Sequence, residues 1–194
     1  MIAAPPPEDA PVQSVLFVCT ANICRSAYAE ILLQWLVPSL DVRSAGVYAL
    51  RGTPMDEPMK GEVERRGIPA PDKRGHQLRP SDVAEADLIL VMDENHREFL
   101  LQEYPRSLKK VGLLGAIDTL VPIVGTGDVL RTSHVAAWAR QPARAEDAIE
   151  DPYRKPREVV ERVAATLTQK VEVLADLIAP LEHSDLVGPD GRAL

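Results

Sequence analysis

The stretch S-V-L-F-V-C-T-A-N-I-C-R-S, from Ser14 to Ser26, decides how the rest of the chain is read. Its first part, Ser14–Val18, is β-branched and aromatic and reads as a buried strand. Its end opens a helix: Ser26 is followed by Glu30 and by apolar Ile31, Leu32, Trp35 and Leu36. A loop between strand end and helix start collects unpaired backbone N–H groups at the positive end of the helix dipole. Such a nest holds a phosphate-like oxyanion. Cys19 stands at the loop's first position and Arg25 at its last. The glycines and lysine of a nucleotide-binding loop are missing. A C-x5-R spacing alone is weak, because two cysteines flanking a turn are often plain core residues. The strand before and the helix after give it weight.

In that setting each residue type has a chemical use. A helix N-terminus and a neighbouring cation favour the thiolate of a cysteine, which makes Cys19 the candidate nucleophile. Arg25 keeps its charge, and its planar fork can grip two phosphoryl oxygens at once. A phosphoryl group in transfer carries spread negative charge, so positioning and electrostatics supply most of the catalysis. Ser26 is placed to donate a hydrogen bond to the sulfur, and Asn22 suits a left-handed turn inside the loop. Thr20, Ala21, Ile23 and Cys24 complete the cradle. The acid such chemistry needs is Asp151, in Asp151-Pro152-Tyr153. An aromatic leaving oxygen takes up a proton as its P–O bond breaks, and a carboxylic acid supplies one. An Asp-Pro pair is also an ordinary turn starter; only together with Cys19 and Arg25 does it read as an acid.

These pieces resemble the low-molecular-weight protein tyrosine phosphatases. The matching segments are C-T-A-N-I-C-R-S at Cys19–Ser26, Ser44-Ala45-Gly46, A-D-L-I-L-V-M-D at Ala86–Asp93 and D-P-Y at Asp151–Tyr153. The resemblance implies that Cys19 is the nucleophile, Arg25 the phosphate clamp and Asp151 the general acid. It implies supporting roles for Asn22 and Ser26, and a substrate slot walled by the loop that carries Tyr48 and Leu50. Tyr153 is a further substrate-binding candidate. It also implies a three-layer α/β/α fold around a four-stranded parallel sheet in the order 2-1-3-4. The variants S-A-G-V-Y-A-L-R-G at Ser44–Gly52 and D-P-Y-R-K-P-R-E at Asp151–Glu158 look closest to a bacterial branch. Members of that branch act on the tyrosine autokinases of capsule and exopolysaccharide assembly.

Composition narrows the classes. With 194 residues, the chain is the size of one domain with a real core. Apolar residues are 45% and aromatics 4% of the total, so that core should be aliphatic. A net charge of −7 argues against nucleic-acid or anionic-membrane partners. Two cysteines, five apart, make neither a disulfide framework nor a zinc spacing. The histidines at 76, 96, 134 and 183 are scattered, so no metal and no cofactor is expected. The start, M-I-A-A-P-P-P-E-D-A-P, has neither the basic nor the apolar region of a secretory signal. A thiolate enzyme also wants a reducing compartment, so the cytoplasm is expected.

Along the chain, residues 1–13 read as a disordered leader, 14–181 as a single domain and 182–194 as a flexible tail. Further strands are expected at Asp41–Ala45, Leu88–Met92 and Val111–Leu114. Helices are expected at Ser26–Val37, Met55–Arg66 and Glu94–Glu103, and from Pro156 to about Leu181. His96 reads as a surface residue of its helix. Val160, Val163, Leu167, Val171, Leu174, Ile178 and Leu181 step by three and four and should face the sheet.

The chain departs from the resembling family in residues 119–148, an apparent insertion expected to form a small hairpin or helix. Packing on the sheet periphery is preferred there over shaping access to Cys19. Ala21 stands where a glycine is common, so the unusual backbone angle should fall on Asn22 instead. Cys24 is either a small buried residue or the partner of Cys19 in a reversible disulfide. Three functions compete. Hydrolysis of protein phosphotyrosine through a cysteinyl-phosphate leads. Thiol-coupled arsenate reduction on the same fold is the alternative, although many such reductases need resolving cysteines downstream and none follows Cys24. A silent phosphotyrosine-binding module fits poorly with an intact Cys19, Arg25 and Asp151.

Overall fold

Val15, Leu16, Phe17 and Val18 are all buried, so the strand they form must be covered on both faces. A computed structural model describes residues 9–142 and 144–179. In it β1 (Ser14–Cys19) lies between β2 (Asp41–Gly46) and β3 (Leu88–Val91), and β4 (Val111–Leu113) pairs with β3. The order is β2-β1-β3-β4 and every pairing among these strands is parallel, as the resemblance implied. Parallel strands need crossovers, and helices supply them. Up to β4 these are α1 (Arg25–Leu36), α2 (Glu57–Arg65), α3 (Pro80–Glu85) and α4 (Glu94–Glu103). After β4 come the short α5 (Val121–Val124) and α6 (Thr132–Trp138), then the long α7 (Arg157–Ile178).

The two faces of the sheet carry separate apolar layers. Val15, Phe17, Leu88 and Leu90 pack against α1, α2 and α7, and Val160, Val163, Leu167, Val171 and Leu174 supply the α7 stripe. Each such side chain taken from water contributes about 1.5–3 kcal/mol. Leu16, Val18, Ile89 and Val91 face the other way, onto Val83 of α3 and Leu100 of α4. One polar contact crosses the first layer, where Tyr28 of α1 meets Thr168 of α7 through their hydroxyls at 2.7 Å.

Helix α3 escaped the sequence reading because it is only six residues long. Pro80 opens it, Asp82 accepts from the Arg79 N–H at 2.8 Å, and Lys110 closes it from outside. The Lys110 ammonium donates to the carbonyls of Val83 (2.6 Å) and Ala86 (2.7 Å), and burial pushes its pKa down. The final helix begins one residue later than expected, with Pro156 as its N-cap. Leu181 and the tail at 182–194 lie outside the described residues.

Residues 119–148 turn out helical, with no strand among the described residues of the segment. A 3₁₀ segment at Leu114–Leu120 leads into α5 and α6, and a short 3₁₀ turn, Ala145–Asp147, closes it. Trp138 lies flat against β4: a Cβ on Gly112 would come within 2.0 Å of the indole. The indole N–H donates to Thr119 Oγ1 at 2.8 Å. The leader reading is corrected for residues 9–13. The Val12 N–H donates to the Leu130 carbonyl and the Thr132 N–H to the Ala10 carbonyl, both at 2.9 Å. Val12 is buried, so this segment is pinned to the insertion; residues 1–8 lie outside the described residues.

Trp138 is the one large aromatic that fastens the insertion to the sheet. Trp138→Ala is expected to cost about 3–5 kcal/mol, read as a lower urea midpoint in equilibrium unfolding.

Candidate active site

Cys19 ends β1, so its side chain stands at the carboxyl edge of the central strand, where ligands of open α/β sheets bind. The chain then turns through residues 20–24 into α1, whose N-cap is Cys24. The turn closes because Asn22 takes a left-handed backbone, φ 58°, while Ala21 does not, as the sequence required. Asn22 is wholly buried, and its amide spends every polar atom on the loop. Its Nδ2 donates to Ser26 Oγ at 2.9 Å and to Ser44 Oγ at 2.6 Å. Its Oδ1 accepts from the His76 N–H at 2.8 Å. Ser44 passes the network on to Glu30, which Lys73 neutralises at 2.5 Å.

The sulfur of Cys19 lies 2.9 Å from Ser26 Oγ and 3.3 Å from the Asn22 N–H. Cys24 is a free buried thiol. Burial first, then the neighbouring Asp56 carboxylate, pushes it far above its ordinary range, so it stays protonated.

Arg25 is buried, and its charge is met from three segments. One terminal nitrogen donates to the Ile149 carbonyl at 3.0 Å and lies 3.5 Å from Asp93. The other lies 3.3 Å from Asp151. Among the described residues its Nε has no partner. Burial works against the charge of Asp93, but hydrogen bonds from His96 and the charge of Arg25 outweigh it and hold the carboxyl below its ordinary value. Asp151 is half exposed, 52%, and accepts from the Tyr153 N–H at 3.2 Å.

Cys19, Thr20, Ala21, Ile23, Cys24, Arg25, Asp151 and Tyr153 together line one cavity of about 130 Å³. The sulfur, guanidinium and carboxylate singled out from the sequence therefore meet. Asn22 and Ser26 stand behind the cavity wall. Tyr48 and Leu50 do not line it. They are 70% and 42% exposed, and Tyr48 meets Phe99 edge-on at 5.7 Å. Their segment contributes backbone instead: the N–H groups of Val47, Tyr48 and Leu50 donate to the carbonyls of Cys19, Thr20 and Ala21. Gln77 braces that segment in turn, bonding Ala49 and Val47. None of the described residues of the insertion lines the cavity.

His96 is not the surface residue that was expected. It is 4% exposed, with Nε2 at 2.9 Å from Thr20 Oγ1 and Nδ1 at 2.9 Å from Asp93. Asp93 and Ser44 were also missed as site residues. Asp93 and His96 carry a readable signal: an acid directly after a buried strand, with a partner three residues on, is an N-cap at the sheet edge. Among the described residues no cluster of three His, Cys, Asp or Glu side chains is placed to hold a metal ion.

The family model for low molecular weight phosphotyrosine protein phosphatase matches residues 14–129. A relative from Erwinia amylovora, "Probable low molecular weight protein-tyrosine-phosphatase AmsI", is 30% identical over 156 residues, covering 80% of this chain and 90% of its own. The crystal structure of AmsI superposes with a TM-score of 0.70 at 27% identity, over 88% of this chain and 95% of that one. "Probable low molecular weight protein-tyrosine-phosphatase EpsP" from Ralstonia nicotianae is 37% identical over 107 residues, 55% of this chain and 74% of its own. A protein-arginine-phosphatase from Geobacillus stearothermophilus is 34% identical over 97 residues, 50% of this chain and 65% of its own.

Two outcomes are expected of this geometry. A Cβ on Gly115 would sit 2.0 Å from the Asp147 carbonyl oxygen, so Gly115→Ala must shift the segment leading to Asp151. We expect up to about 10²-fold loss of kcat/KM on an aryl phosphate, with inorganic phosphate still bound. The depressed Asp93 carboxyl stabilises the fold above its unfolded value of 3.8, and this is lost as pH falls through the lower folded value. Asp93→Asn should therefore be less stable than wild type near neutrality, and the gap should close in acid unfolding below that value.

Proposed function

This chain belongs to the low molecular weight phosphotyrosine protein phosphatase family, an enzyme of the protein-tyrosine-phosphatase class, and from that premise we propose how it hydrolyses phosphotyrosine on proteins. Cys19 Sγ attacks phosphorus as the P–O bond to the tyrosine ring breaks. Asp151 gives its proton to the departing phenolic oxygen. The phosphocysteine is then hydrolysed by a water from which the same carboxylate takes a proton, releasing phosphate and the free thiolate. Loop N–H groups and the Arg25 fork hold the phosphoryl oxygens throughout.

The observation that carries this reading is the meeting of Cys19, Arg25 and Asp151 on one cavity, with Arg25 and Asp151 at 3.3 Å. Ile23 and Tyr153 also line it and offer apolar surface to an aromatic ring, where a phosphoarginine side chain would ask for polar partners. Arsenate reduction is not favoured, because the relatives are phosphatases and no third cysteine exists. The partner we infer is a bacterial tyrosine autokinase, which rests on the likeness of Ser44–Gly52 and Asp151–Glu158 to that branch. The compartment we infer is the cytoplasm, where a free thiol stays reduced. In support, no helix among the described residues is long and apolar enough to cross a membrane.

Turnover of para-nitrophenyl phosphate and of phosphotyrosine and phosphoarginine peptides tests the reading, beside arsenate turnover with thiol donors. We expect phosphotyrosine to be preferred, no turnover by Cys19→Ser, and a loss of phosphate binding in Arg25→Ala. Asp151→Ala should lower kcat by about 10²–10⁴-fold. A wild type inert on phosphate esters and active on arsenate overturns it.

A further inference from the structure

Among the described residues, two other than glycine take a left-handed backbone, Asn22 at φ 58° and Arg154 at φ 56°. The first closes the phosphate loop; the mechanism above gives the second no task. A bulky side chain rarely adopts that conformation, and such strain gathers where a chain binds or reacts. Arg154 follows Tyr153, which lines the cavity with Cys19 and Asp151. Its guanidinium carbon lies 5.1 Å from the centre of the Tyr153 ring, so the charge rests on that ring at the lip of the cavity. The side chain is exposed. Among the described residues no carboxylate claims it: Asp151 faces Arg25 at 3.3 Å and Glu150 faces Arg162 at 2.6 Å. Lys155 lines a separate groove with Glu57 and Glu62, and Arg157 pairs with Glu161. Of the cations between residues 154 and 162, Arg154 is the one left to meet a partner from outside.

We propose that Arg154 is a specificity-determining residue that receives an acidic side chain next to the phosphotyrosine of a protein substrate, through the seat of its guanidinium on the Tyr153 ring. A phosphorylated ring held against Ile23 and Tyr153 leaves its own backbone at the cavity mouth, and the neighbouring substrate residues then pass over the outer surface where Arg154 stands. The chain as a whole carries a net charge of −7 and repels an acidic peptide, so attraction must come from a charge local to the cavity. Arg25 does not serve, since it is buried and answered by Asp93 and Asp151. A guanidinium keeps its charge and presents a planar fork that fits a carboxylate. Seated on an aromatic ring, it gives up less freedom on binding than an arginine loose in water. The contact is made to the peptide and not to the phosphoryl group, so it strengthens ground state and transition state alike. Its mark is a lower KM at unchanged kcat.

This rests on the phosphatase reading, and the test separates the two. Kinetics are measured on para-nitrophenyl phosphate and on two phosphotyrosine peptides, one with glutamate on both sides of the phosphotyrosine and one with glutamine there. The proteins are wild type, Arg154→Gly, Arg154→Gln and Arg154→Glu. Glycine suits the left-handed backbone, so removing the side chain that way spares the fold. Wild type should favour the glutamate peptide about two- to fivefold in kcat/KM, the worth of an exposed ion pair. The preference should lie in KM and fade as salt is raised to about 1 M. Arg154→Gly and Arg154→Gln should treat the two peptides alike, and Arg154→Glu should prefer the glutamine peptide. All three should stay within about twofold of wild type on para-nitrophenyl phosphate. A wild type that is active but indifferent to flanking charge overturns this inference alone. So does a preference that survives Arg154→Gly and Arg154→Gln. So do equal losses on para-nitrophenyl phosphate and both peptides, the mark of a residue that only shapes the turn at Asp151. A wild type that hydrolyses none of the three substrates overturns the phosphatase reading and this inference with it.

Discussion

A guanidinium sealed from water must be answered by charge, and the answer given to Arg25 organises this molecule. Its partners come from the end of β3 (Asp93), from the stretch after the insertion (Ile149) and from the Asp-Pro-Tyr turn (Asp151). These are far apart in sequence and touch only if the sheet is ordered as observed. A buried ion pair contributes little net stability, because desolvation consumes most of the Coulombic gain. Its value here is specification: a register that separates Arg25 from Asp93 and Asp151 leaves a buried charge unpaired. The fold is held by the two aliphatic layers, and the charge selects which arrangement of them is kept.

The loop itself depends on a second constraint, the left-handed backbone of Asn22. That conformation is tolerable because the Asn22 side chain is fully used, tying together Ser26, Ser44 and the His76 N–H. The strain of one residue is thereby shared among β2, α1 and the segment before α3. Three donated N–H groups from residues 47–50 finish the support from the other side.

Most of this architecture could be read from the chain because it rests on local patterns. The β-branched run of β1, the 3–4 spacing of α7 and the C-x5-R-S frame each announce themselves within a few residues. Asp151 could be read only together with Cys19 and Arg25, since an Asp-Pro turn means nothing without its distant partners. What stayed hidden is long-range or marginal. Helix α3 is too short for periodicity. His96 looked like a surface residue because its neighbours Asn95 and Arg97 are polar, yet its ring is buried beside Thr20 and Asp93. Residues 9–13 looked like a leader because they continue a proline-rich start, and only Leu130, 118 residues further on, gives Val12 a place. Tyr48 and Leu50 lie on the expected segment, yet that segment contributes its backbone rather than its side chains to the loop.

The central position of β1 has a consequence for how the protein is made. The strand that carries Cys19 leaves the ribosome before its neighbour β3, the covering helix α7 and Asp151. A nascent chain therefore holds its thiol without a formed anion nest until nearly the whole domain has emerged. The pocket's last contributors to be made, Asp151 and Tyr153, are the ones that complete its wall.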